Sequence, residues 1–263
     1  MIVPTLAMNT FREAVRDKIL YVLTIFGVLM ILVSRAIGYV SFGGEMKIMT
    51  DIGLASIWIF SGMVAIFIGT GLIYKEIDKR TIYTILSKPT ERWQFLAGKY
   101  LGLLLTTAVN MALLSAAFLG YLWLCGAYIS IALVQALFLT FIEMTIVTAV
   151  AIFFSSASTP ILSAIFTTII FFAGQMTKWV VDLGDSQELK QSAPWVGKLL
   201  YGAYLVLPNL HNFNIRQEAV LATHDSMALA IPMNEMWACT IYGMSYALAM
   251  LLAAHLLFSR RNL

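Results

Sequence analysis

The sequence predicts an all-α integral membrane protein with six transmembrane helices in a single domain over residues 1–263. Three observations carry this. Only 12% of residues are charged and 60% are hydrophobic, with a mean hydropathy of +0.84, whereas a soluble domain carries about 25% charged residues. Uncharged runs such as 52–74 and 100–142 reach or exceed the ~20 residues that cross a bilayer as a helix. The charges that remain are gathered between those runs, where backbone and ionic groups can meet water.

Residues 1–18 precede the first apolar run. Val3, Ala7, Phe11 and Ala14 share one helical face, with Asn9, Arg12, Glu13 and Arg16 opposite, the pattern of a helix lying flat at an interface. A frayed tail is the plainer alternative. The spans follow at about 19–40, 52–74, 97–124, 130–154, 161–181 and 236–258. The first is too long for a signal-peptide core and lacks a small-residue cleavage site, so it is read as retained. The uncharged run 100–142 is too long for one helix and breaks at Cys125-Gly126-Ala127-Tyr128-Ile129-Ser130; the next break is Ser155-Ser156-Ala157-Ser158-Thr159-Pro160.

Between the second and third spans lies the most charged stretch, 75–96. Tyr74, Ile77, Thr81, Ile82 and Ile85 recur near a helical period, with Lys75, Lys79, Arg80 and Tyr83 opposite. This predicts a short amphipathic helix along the membrane face, stopped at Ser87-Lys88-Pro89. The segment 182–235 is the one sizeable piece on the other side. Trp195, Leu199, Leu200, Ala203, Tyr204 and Leu207 form an apolar stripe there, and Pro208-Asn209 forces a turn.

With six spans, both termini share a side with 75–96, and that side collects eleven basic residues against six on the other. The positive-inside rule then puts the termini and 75–96 in the cytoplasm and 182–235 outside, in a plasma membrane.

The chemistry-bearing motifs are few. The sequence has no G-x-x-x-x-G-K-[ST] phosphate loop, no G-x-S-x-G, no H-E-x-x-H and no C-x-x-C. We therefore expect no enzymatic activity and no bound cofactor in this chain. Small net charge without a basic cluster argues against a nucleic-acid partner. Cys125 and Cys239 have no ligand spacing, and His211 and His224 stand too far from any ligand cluster to suggest a metal. Glu143 is the one acid deep within a predicted span. An intramembrane acid either lines an ion or substrate path or is held between helices by hydrogen bonds, and both readings stand. Asn110, Gln135, Gln175 and His255 fit interhelical hydrogen bonding, and Gly98-x-x-x-Gly102 favours close helix approach.

The central stretch resembles a known family. Glu76, Asp78-Lys79-Arg80-Thr81, Leu86-Ser87-Lys88-Pro89, Arg92, Leu96 and Gly98-Lys99-x-x-Gly102 are similar to the loop between the second and third spans of type-2 ABC transporter permeases. The subgroup they look most like contains the permease of the nitrous-oxide-reductase maturation transporter. Pro208-Asn209-Leu210-x-x-Phe213-Asn214 and Phe258-Ser259-Arg260-Arg261-Asn262 resemble the external segment and the chain end of the same family. Arg80 departs from it, because many relatives have glycine before the threonine.

The resemblance implies an exporter-type permease in a bacterial or archaeal inner membrane, paired with a second permease subunit as a homodimer and surrounded by lipid. A separate cytoplasmic ABC ATPase would bind ATP and magnesium. The amphipathic helix would be the coupling helix, with Glu76, Lys79, Arg80, Thr81, Ile82 and Ile85 meeting that ATPase. From the residues alone, 75–96 reads first as a basic topological anchor, and it is the resemblance that favours coupling. The alternative function is an ion-gradient-driven transporter or channel working through Glu143; the expected inverted repeats and broken helices of such proteins are not evident in the sequence.

Overall fold

The computed structural model describes residues 2–39, 44–78, 92–185, 194–224 and 232–260. Among them there are helices and no strands: α1 (Ile2–Val15), α2 (Lys18–Gly38), α3 (Glu45–Asp78), α4 (Arg92–Leu124), α5 (Ile131–Ala157), α6 (Pro160–Gln175), α7 (Thr177–Asp185), α8 (Pro194–Val206), α9 (Arg216–His224) and α10 (Met233–Arg260). Helices α2, α3, α4, α5 and α10 are each long and apolar enough to cross a membrane, and α6 with α7 makes a sixth span if that bent pair counts as one.

Helix α5 is the axis of the bundle. Its most apolar window is 72% buried, against 22% for α2 and for α10. Residues 142–152 are buried without a break, because α3, α4, α6, α9 and α10 all pack on this helix. Helices α2 and α10 instead turn apolar side chains such as Ile25, Phe26, Leu248 and Leu252 outward, as helices facing lipid or another subunit must.

The turns follow local chemistry. Asp17 caps α2 by accepting from the Ile19 N–H at 3.1 Å. The 125–130 break falls where predicted: Gly126 takes φ of 75°, a left-handed conformation that suits glycine, and Ser130 caps α5 through the Leu133 N–H. Pro160 opens α6, where its missing N–H costs nothing.

Three features go beyond or differ from the sequence reading. Helix α1 packs on the first turns of α4. Gly98 and Gly102 make this possible. A Cβ at Gly98 would lie 2.6 Å from Leu6 Cβ, and one at Gly102 would lie 2.5 Å from the Ala7 carbonyl oxygen, so only bare backbone fits. Lys99, between them, is buried, with Nζ 3.8 Å from Glu13 Oε2 on α1. Second, α3 runs 34 residues, roughly 51 Å at 1.5 Å per residue, and outreaches the ~30 Å hydrocarbon core. Residues 74–78 are its last turn rather than the start of a separate helix. Third, the fifth span is broken: α6 and α7 meet at a 59° bend.

Candidate functional site: a buried carboxylate beneath a polar cleft

Glu143 sits halfway along α5 and is 1% exposed. Its surroundings come from three other elements. Trp58 on α3 donates its indole Nε1–H to Glu143 Oε1 at 2.9 Å. Gln175, the last residue of α6, donates Nε2–H to the same oxygen at 2.6 Å. Gln175 Oε1 in turn accepts from Asn214 Nδ2 at 3.4 Å. The Arg216 guanidinium, at the start of α9, lies 5.4 Å from the centre of the Trp58 ring, within cation–π range. Trp58 is fixed from behind by Phe171, stacked at 4.7 Å.

The break in the fifth span belongs to this arrangement. Gln175 and Thr177 stand on either side of it and both turn their side chains inward. Thr177 Oγ1 bonds Asn209 Oδ1 at 2.6 Å. Asn209 also donates its backbone N–H to Tyr242 Oη on α10 at 2.9 Å and bonds the Tyr204 hydroxyl on α8 at 3.3 Å. The Pro208-Asn209 turn thereby joins α7, α8 and α10. Immediately after it, Leu210 and Phe213 of a 3-10 turn are each 1% exposed. Gly174 receives Leu210: a Cβ there would lie 2.7 Å from Leu210 Cγ. The segment after the Pro208-Asn209 turn is thus inserted into the end of the bundle.

Above the carboxylate opens a cleft of about 570 Å³ between α7, α9, α10 and the 209–215 segment, within the usual range for small-molecule sites. Lys178, Asp182, His211, Glu218 and Glu235 line it, together with Tyr204, Asn209 and Cys239. A much smaller void of about 10 Å³ lies directly against Glu143, Trp58, Thr140 and Arg216, room for about one water. Asn214 and Ile215 line both spaces. Among the described residues, no three His, Cys, Asp or Glu side chains converge to hold a metal ion.

Of the residues singled out from sequence, the structure thus gathers Glu143 and Gln175 into one cluster. Asn110 bonds Thr24 across α2 and α4 at 2.6 Å, as expected for interhelical hydrogen bonding. His255 differs: its buried Nδ1 has no hydrogen-bond partner among the described residues. Glu76 lies in the last turn of α3, while Lys79, Arg80, Thr81, Ile82 and Ile85 lie outside the described residues. Trp58 and Arg216 were not signalled as site residues by the sequence, and Asn214 was marked only as part of the Pro208–Asn214 resemblance. Trp58 is an ordinary side chain within an apolar run and meets its partner 85 positions away.

No curated protein matches the chain. The family model described as ABC-2 family transporter protein matches residues 5–263. With that match over nearly its whole length, on an all-helical bundle of membrane-spanning length, the chain belongs to the ABC-2 transporter family, as a multi-pass membrane permease whose family works with an ABC ATPase subunit.

Proposed function

We propose that this chain is the permease subunit of an ATP-driven exporter, moved by a separate cytoplasmic ATPase that binds ATP and magnesium. The family match carries this reading. The course of α3 supports it: the helix continues past the uncharged run 52–74 to Asp78, which brings Lys75, Glu76 and Asp78 to the edge of the 79–91 segment. A rigid helix ending in charged residues is a fit lever for a push delivered at 79–91. In this reading Glu76, Lys79, Arg80, Thr81, Ile82 and Ile85 contact the ATPase, and α1, clamped on α4 at the far side of that segment, braces the return.

The distribution of basic residues supports cytoplasmic termini in a bacterial or archaeal inner membrane. The outward apolar faces of α2 and α6 suit a second copy of the chain and lipid, so the working unit is a homodimer with two ATPases. The motif spanning 76–102 favours the subgroup of the nitrous-oxide-reductase maturation permease. Glu143, under the cleft on the outer side, lies on the substrate path.

The test separates docking from transmission. Lys79→Glu with Arg80→Glu places like charge against the partner and weakens ATPase retention on co-purification, since such juxtaposition opposes association. Ile82→Ala with Ile85→Ala retains the ATPase but uncouples hydrolysis from transport. If both variants match the parent protein in retention, hydrolysis and transport, 79–85 is a topological anchor and the coupling role falls.

A further inference from the structure

We propose that Arg35, together with Tyr39, binds the phosphodiester of a membrane phospholipid at the end of α2 remote from α1. The uncharged run 19–34 stops at Arg35, so this side chain stands where apolar helix gives way to lipid headgroups. Aromatic side chains that settle at that level surround it. Tyr39 is 59% exposed, Trp123 near the end of α4 71%, and Tyr128 in the turn to α5 67%.

The guanidinium is held in place by neutral groups. Its Nε–H donates to Tyr39 Oη at 2.9 Å and an Nη1–H to Cys125 Sγ at 3.5 Å. Its central carbon lies 5.4 Å from the centre of the Tyr39 ring. One turn before Cys125, Tyr121 donates its hydroxyl to the Leu32 carbonyl at 3.1 Å, so α2 and α4 are tied together around the cation. Among the described residues Arg35 makes no ion pair. Two of the five N–H donors of an arginine are used, which leaves three. The Tyr39 hydroxyl accepts from Nε and keeps its own proton to donate.

A positioned guanidinium with spare donors beside a phenolic O–H suits an anion with several oxygens, and phosphate takes such a fork bidentately. At the edge of the hydrocarbon a charge is poorly screened, so a counter-charge is worth more there than in bulk water. The membrane supplies one at this depth, as the phosphodiester of its own lipids. The neighbouring apolar surface selects a lipid over a soluble anion: Leu32 and Ile37 on α2 are 53% and 43% exposed, and acyl chains can cover them while the headgroup meets Arg35.

The probe is dioleoyl-phosphatidylglycerol, added to the delipidated complex of permease and ATPase in detergent. The controls are a glucosyl diacylglycerol with the same chains and no phosphate, and soluble glycerol phosphate. Retained lipid is counted by native mass spectrometry. Occupancy is read independently from the alkylation rate of Cys125, which touches Arg35, in a Cys239→Ser background. The phospholipid is expected to stay bound and to slow alkylation, and neither control to match it. Arg35→Gln should weaken retention about tenfold, the loss of a charge-assisted contact, and make the alkylation rate independent of phospholipid. Arg35→Lys keeps the charge without the planar fork and should fall between the two. Equal protection by the glucosyl lipid or by glycerol phosphate, or lipid-dependent protection unchanged in Arg35→Gln, would each overturn the proposal. So would a short bis-maleimide that links Cys125 of two copies equally well with and without phospholipid, since a second copy of the chain would then cover this face. An ATPase retained in the same samples leaves the permease reading standing whichever way the lipid result falls.

Discussion

Glu143 receives two donors on one oxygen, so its substitutions separate charge from hydrogen bonding. Glu143→Gln preserves an acceptor for the Trp58 indole and the Gln175 amide. Glu143→Leu has similar bulk but leaves two part-buried donors without their acceptor, at up to about 1–3 kcal/mol each. Thermal unfolding of the purified protein should therefore place the Leu variant well below the Gln variant, and the Gln variant close to the parent. If both unfold at the parent temperature, the hydrogen bonds at Glu143 do not hold α3, α5 and α6 together. The sequence made Glu143 visible as an acid in an apolar run. It could not show what the acid touches, because its partners lie 85 and 32 positions away and neither tryptophan nor glutamine is unusual in a membrane helix.

At the scale of elements, apolar runs and turn chemistry were legible. Ser130 and Pro160 mark the helix starts they were expected to mark. The bend between α6 and α7 was not legible, since Gln175 and Thr177 look like ordinary polar residues until their tertiary partners Glu143 and Asn209 are known. Gly98-x-x-x-Gly102 announced a close contact without naming the partner, which is α1 rather than another span. That contact carries a prediction. Gly102→Ala sets a methyl group 2.5 Å from the Ala7 carbonyl and 2.6 Å from Thr10 Cβ, a crowding that costs on the order of 1–3 kcal/mol. Gly120→Ala meets nothing within 4 Å and should be silent. Limited proteolysis within α1 should accelerate in the Gly102 variant alone; equal cleavage in both would show that α1 is not held through this face.

For the whole molecule, the proposed cytoplasmic placement of the termini puts Cys125, at the end of α4, and Cys239, near the start of α10, on the outer side. In intact cells an impermeant thiol reagent should reach them, and it should not reach a cysteine placed at Lys88 in a background without the native pair. Labelling at position 88 from outside would invert the layout. This permease is proposed to work through a separate ATPase at the 75–96 side. The most direct measurement is native mass spectrometry of the complex drawn from membranes through a tag on this chain, with magnesium-ATP hydrolysis assayed on the same sample. The account predicts two copies of the chain with two ATPase subunits, hydrolysing ATP, and loss of the ATPase in the Lys79→Glu, Arg80→Glu variant. A chain that emerges without an ATPase, yet passes substrate down an ion gradient in a manner abolished by Glu143→Gln, would contradict it.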